Sequence, residues 1–148
     1  MRAQKKLGPG PWLLALLGGV VATAAVQAAD SPLARAARAR DLATLKQLIA
    51  AHADVNLPAA DGSTAMLWAA YNANVEMIKA LAAAHADPNT ANKYGVTPLL
   101  QAARTGDVPV INALLAAGAA VDRAHPDGET PLMAASRAGS LEAVRLLL

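Results

Sequence analysis

Shifting the chain by 33 residues against itself lays Ser31, Thr64, Thr97 and Thr130 in one column, followed by Pro32, Ala65, Pro98 and Pro131. Four copies keep register without a gap. Such a period means stacked units, each too small to bury its own apolar face and stable only against its neighbours. A Ser or Thr hydroxyl accepts orphan N–H groups at a helix start, and proline suits the first helical position, so this column predicts where a helix begins. Ten residues later a second capping column appears, Asp41, Asn74, Asp107 and Ser140. Apolar residues at helical spacing follow it: Val75, Ile78 and Leu81 in the second unit, Val108, Ile111, Leu114 and Leu115 in the third. Each unit therefore holds two short antiparallel helices.

Composition agrees with this architecture. The 148 residues are 55% hydrophobic yet include no Phe, two Trp and two Tyr. Alanine supplies much of the rest, and it favours helix and lets helices approach closely, which suits stacked helices better than sheets. The pairs Ala36-Ala37, Ala69-Ala70, Ala102-Ala103 and Ala135-Ser136 fall where neighbouring units must pack. Gly106 and Gly139 precede the second cap in the later units, where a tight turn calls for positive φ, while Arg40 and Ala73 occupy that place in the earlier ones. Gly62, Gly95 and Gly128 mark a further turn two residues before each new Thr.

The segments Gly95-Val96-Thr97-Pro98-Leu99 and Gly128-Glu129-Thr130-Pro131-Leu132, with Gly118-Ala119-Ala120-Val121-Asp122, resemble the ankyrin repeat. The resemblance runs from Ser31 to Leu148 and implies an all-α solenoid with units 31–63, 64–96, 97–129 and 130–148, the last incomplete. The histidine usual after Thr-Pro-Leu is replaced by Ala34, Leu67, Leu100 and Met133, which predicts apolar packing in place of its hydrogen bonds. The first unit carries Arg35, Arg38, Arg40, Lys46 and Gln47, as a solvated N-terminal cap would. Ending on Leu146-Leu147-Leu148, inside a second helix, the chain is expected to continue into further repeats or another domain.

The N-terminus reads as a secretory signal over residues 1–28, leaving a repeat domain over residues 29–148. Arg2, Lys5 and Lys6 form a positive region, Trp12 to Val26 is uncharged, and Val26-Gln27-Ala28 offers a small-residue cleavage site. An uncleaved anchor is the competing reading, but the apolar run is short for a bilayer core that takes roughly 20 residues. Those three basic residues also account for the formal charge of +2, since without them ten of the 13 basic residues face 11 acidic ones. The charge thus argues against a nucleic-acid partner. With no cysteine, the chain has no disulfide framework, thiolate metal site or thiol nucleophile. Export without disulfides, together with the alanine content, points to a bacterial periplasmic or secreted protein, monomeric and not inserted in a membrane after cleavage.

No Gly-rich phosphate loop, Ser-His-Asp order, paired carboxylates on one helix or HExxH motif occurs, so neither catalysis nor a cofactor is expected. His52 and His85 stand at equivalent positions, but neighbouring units lie about 8–10 Å apart, too far for easy sharing of a zinc ion bound at about 2 Å. A left-handed helix C-cap, where the third unit has Gly118, explains both better. Trp68 and Tyr71 stand three apart on one predicted helix; Trp68 falls in a packing column and is expected to be partly buried.

The resemblance implies that partners are recruited by the concave face, through the hairpin tips and neighbouring first-helix positions. On that basis the candidates for binding a protein partner are Arg38, Tyr71, Asn72, Arg104 and Arg137 from the helices, with Asp61, Lys93, Tyr94, Asp127 and Glu129 from the tips. A stripe of Arg and Tyr suits an acidic or polar segment. Against this stands the plainer possibility that Arg104 and Arg137 only pair with acidic tip residues, each exposed pair contributing about 0–1 kcal/mol. The expected function is an exported interaction scaffold; the alternative is the targeting module of a longer exported enzyme.

Overall fold

The computed structural model describes residues 31–148, and the signal-peptide reading lies outside them. Eight helices follow in four pairs: α1 (Pro32–Arg38) with α2 (Leu42–Ala50), α3 (Ala65–Tyr71) with α4 (Val75–Ala83), α5 (Pro98–Thr105) with α6 (Val108–Ala116), and α7 (Pro131–Ala138) with α8 (Leu141–Leu147). All eight begin on a residue from the two capping columns, whose side chain accepts the backbone N–H three residues on. Helices this short are marginal alone, so the caps mark their starts while packing holds them.

The packing forms two layers. First helices stack on first helices, α1 on α3 on α5 on α7, and second helices stack likewise, with each pair also packed within its unit. The alanine pairs of α1, α3 and α5 are buried, which lets the first-helix layer close up tightly. Leu33, Met66, Leu99 and Leu100 come from that layer and Leu45, Ile78, Leu81, Ile111 and Leu114 from the other, making one continuous core. Asparagines stitch units together beside the second layer: Asn56 Oδ1 accepts the Asp87 N–H at 2.7 Å, and Asn89 Oδ1 accepts the Ala120 N–H at 2.7 Å.

Where histidine was expected to be replaced by apolar packing, Ala34, Leu67 and Leu100 are indeed buried. Met133 departs from this and is 56% exposed, and Ser136 in the small-residue column is exposed rather than packed. Both lie on the outer side of α7, which no further unit covers among the described residues; the Ser136 hydroxyl instead donates to the Leu132 carbonyl at 2.8 Å. The cap reading of His52 and His85 matches their backbone, with φ of 59° and 63°. Among the described residues, no helix is long and apolar enough to cross a membrane, and no three His, Asp or Glu side chains converge as metal ligands would.

Candidate partner-binding face

Between units the chain makes three hairpin tips, each closed by a glycine. Gly62 N–H donates to the Ala59 carbonyl, Gly95 N–H to Asn92 and Gly128 N–H to His125, at 2.9, 2.9 and 2.8 Å. The glycines have φ of 81°, 79° and 91°, which only glycine adopts readily. Neighbouring tips are linked: Lys93 N–H donates to the Asp61 carbonyl at 3.0 Å, and His125 Nε2 lies 2.7 Å from the Tyr94 carbonyl. Tips and first helices thus present one surface.

Its N-terminal half is organised by Trp68, half-buried on α3. The Arg38 guanidinium lies over its ring, 5.2 Å from the centroid, and Tyr71 meets it edge-on at 5.6 Å with an interplanar angle of 78°. Both geometries are favourable for a ring with a negative face and a positive edge. Trp68 and Asp61 border two adjoining hollows. One, about 260 Å³, is completed chiefly by Leu67, Tyr71, Val96 and Gln101. The other, about 210 Å³, opens toward Arg35 and Arg38. Burial pushes the Asp61 carboxyl upward, but the Ser63 N–H and hydroxyl, Asp61's own N–H and the Arg38 charge together hold it below the ordinary carboxylate value.

The C-terminal half is organised by Glu129, only 8% exposed. Its Oε2 accepts from Arg104 Nε and Nη2 at 2.8 and 2.6 Å, and its Oε1 accepts from Arg137 Nη1 at 2.5 Å. One carboxylate therefore ties α5, the third tip and α7 together. Beside it, His125 Nδ1 lies 2.7 Å from Asp127 Oδ1. The Glu129 N–H, then the His125 ring, with Arg104 adding a smaller pull, hold Asp127 below its ordinary value against a modest burial effect.

Of the ten candidate positions, Arg38, Asp61 and Tyr71 gather at Trp68, while Arg104, Glu129 and Arg137 gather with Asp127 nearby. Lys93 and Tyr94 are exposed on the middle tip. Two positions differ from an outward-facing role. Asn72 is a strut between units, its Nδ2 donating to the Ala37 carbonyl at 2.8 Å and its Oδ1 accepting from Arg40 Nε at 3.2 Å. Glu129 is buried under two guanidinium groups, so Arg104 and Arg137 both pair with this tip acid, Arg137 remaining largely exposed. Sequence reasoning passed over Asn92, Gln101 and His125. Asn92 and His125 share a column with Ala59, and only their polarity at equivalent turn positions distinguished them; Gln101 falls in the column of Arg35 and Trp68, and that shared position was its only signal.

The pattern describing ankyrin repeats in three copies matches residues 33–125 and again residues 81–148. The chain belongs to the ankyrin-repeat family. Ankyrin repeats are protein-interaction modules, so protein partners follow from the family itself. A search of the curated proteins finds no match.

Proposed function

We propose that this ankyrin-repeat protein is an exported interaction scaffold that binds a protein partner through the concave face of tips and first helices. The observation that carries the reading is the pair Tyr71 and Tyr94, 62% and 70% exposed on the face that bears the Trp68 hollows. Large aromatic groups held in water are enriched at binding surfaces, because their burial on contact releases much apolar area with few rotamers to immobilise. Neither tyrosine belongs to the buried core, and Tyr71 stays mostly exposed although it meets Trp68 edge-on. Export rests on the basic and apolar leader with its small-residue cleavage site.

The test is affinity capture after cross-linking in cells producing tagged full-length chain, wild type against the double variant Tyr71→Ala, Tyr94→Ala. Partners captured by the wild type should fall at least fivefold in yield with the variant, at unchanged helical circular dichroism. Equal recovery would overturn the face assignment. N-terminal sequencing of the exported protein should begin at Ala29; a chain still carrying Trp12 would refute cleavage.

A further inference from the structure

We infer that the Trp68 hollow receives one large apolar side chain of an extended acidic segment in the partner, with an acidic residue about three positions away against Arg35 and Arg38. This rests on the concave-face reading and adds the chemistry of the partner to it. The hollow beside Tyr71, about 260 Å³, is smaller than the roughly 300 Å³ at which small-molecule sites begin and suits a single side chain. Leu67, Trp68, Tyr71 and Val96 supply apolar walls, Gln101 can hydrogen-bond the main chain running past, and Asp61, Ser63 and Asn92, which bond one another and the tip backbone, form the remaining rim.

Charge selects the flank. Arg35 and Arg38 border the adjoining hollow with a single lining carboxylate, Asp61, while Asp41 borders a separate hollow with Arg35. Among the described residues neither guanidinium is held in an ion pair, so the lining of the adjoining hollow carries one net positive charge. Lys93 adds a second at the middle tip, where no acidic side chain stands. At the other end the two arginines already hold Glu129, and Asp127 stands beside them, so that flank has no net charge to offer an acid. The attraction is therefore one-sided and orients the segment. Units are spaced by about 10 Å, which an extended chain covers in about three residues. That spacing separates the apolar residue from the acid.

The experiment is selection from a phage library of random twelve-residue peptides on immobilised full-length protein, in wild type, Arg35→Glu/Arg38→Glu, Tyr71→Ala and Arg137→Glu forms, each checked by circular dichroism. Wild type should enrich peptides with Asp or Glu two to four positions from a Leu, Met or aromatic residue. Synthetic copies should lose at least tenfold in affinity to the Arg35/Arg38 variant, and that variant should select basic residues instead. Tyr71→Ala should weaken them at least fivefold, and Arg137→Glu less than threefold. Enrichment of basic peptides by the wild type would overturn the inference, as would acidic peptides that bind the Arg35/Arg38 variant equally well. If no peptide is enriched while Tyr71 and Tyr94 still govern capture in cells, the partner chemistry is wrong and the face assignment stands. If both fail, the concave-face reading falls with it.

Discussion

Ala73 shows how a single residue can carry strain that its neighbours avoid. The turn between the two helices of each unit needs a left-handed residue. Gly106 and Gly139 supply it with φ of 67° and 72°, whereas Arg40 and Ala73 are forced to 60° and 54°. A side chain there costs about 1–2 kcal/mol, part of which glycine returns through its freer unfolded chain. Ala73→Gly should therefore raise stability by about 0.5–1 kcal/mol in urea titration. Arg40→Gly should gain less, because Arg40 Nε is bonded to Asn72. The opposite exchange at Gly95 meets two obstacles. Its φ is 79°, and an added Cβ would lie 2.3 Å from Pro126 Cδ on the next tip. Gly95→Ala should cost at least about 2 kcal/mol, combining backbone strain with a clash between hairpins, and should appear as a lowered urea midpoint.

At the scale of elements, helix starts and tip contacts divide the electrostatic work. The Asp41 carboxyl at the start of α2 lies below its ordinary value of 3.8, through the Thr44 hydroxyl first and then the Thr44 N–H. Asp61 and Asp127 are lowered too. A lowered folded-state pKa means the stabilisation is fully present above the unfolded value and lost as pH falls through the folded one. Thermal midpoints should thus hold from pH 7 down to about 5 as far as these groups are concerned and fall below about pH 4. Asp41→Asn, which can still cap, should flatten part of that acid decline. The Glu129 bridge separates its two arginines by burial. Arg104→Ala would leave a buried carboxylate with one mobile partner and should cost about 2 kcal/mol. Arg137, 75% exposed, should cost under about 1 kcal/mol on the same change. Equal losses in urea titrations of the two variants would refute that ordering.

Over the whole molecule, stability should be graded along the stack. Units two and three are covered on both sides, and Met66, Met77, Ile78, Leu81, Leu99, Leu100, Ile111 and Leu114 there are fully buried. At the ends, Leu48 is only half-buried and Met133 and Leu141 are exposed. In a repeat stack, each unit draws its stability from its interfaces, so in a chain of these 148 residues local opening is easiest where no described unit covers one side. Amide hydrogen exchange followed by mass spectrometry should find α4 and α5 slowest and α2 and α8 at least tenfold faster. Uniform protection would show that the stack opens only as one unit. The same gradient sets the hollow beside Tyr71 chiefly against the well-supported units two and three, whereas the adjoining one takes Ala34, Arg35 and Arg38 from the end unit.

The period of 33 and its capping residues were sufficient to determine the helical order, the family resemblance and the start of every helix, because a cap acts on the backbone N–H three residues away. The left-handed place of His52 and His85 was legible for the same local reason. Other roles depend on residues about 30 positions apart that meet only when units stack. Asn72 became a strut because Ala37 and Arg40 of the preceding unit come within reach. Glu129 became a buried bridge because Arg104 and Arg137 converge from two helices, and Met133 stayed exposed because its side of α7 has no described neighbour. Trp68 gained its importance in the same way, through Arg38 on one side and the walls of the next unit on the other. Local hydrogen bonding could be read along the chain, whereas charge pairing and the shape of a hollow depended on which units were brought side by side.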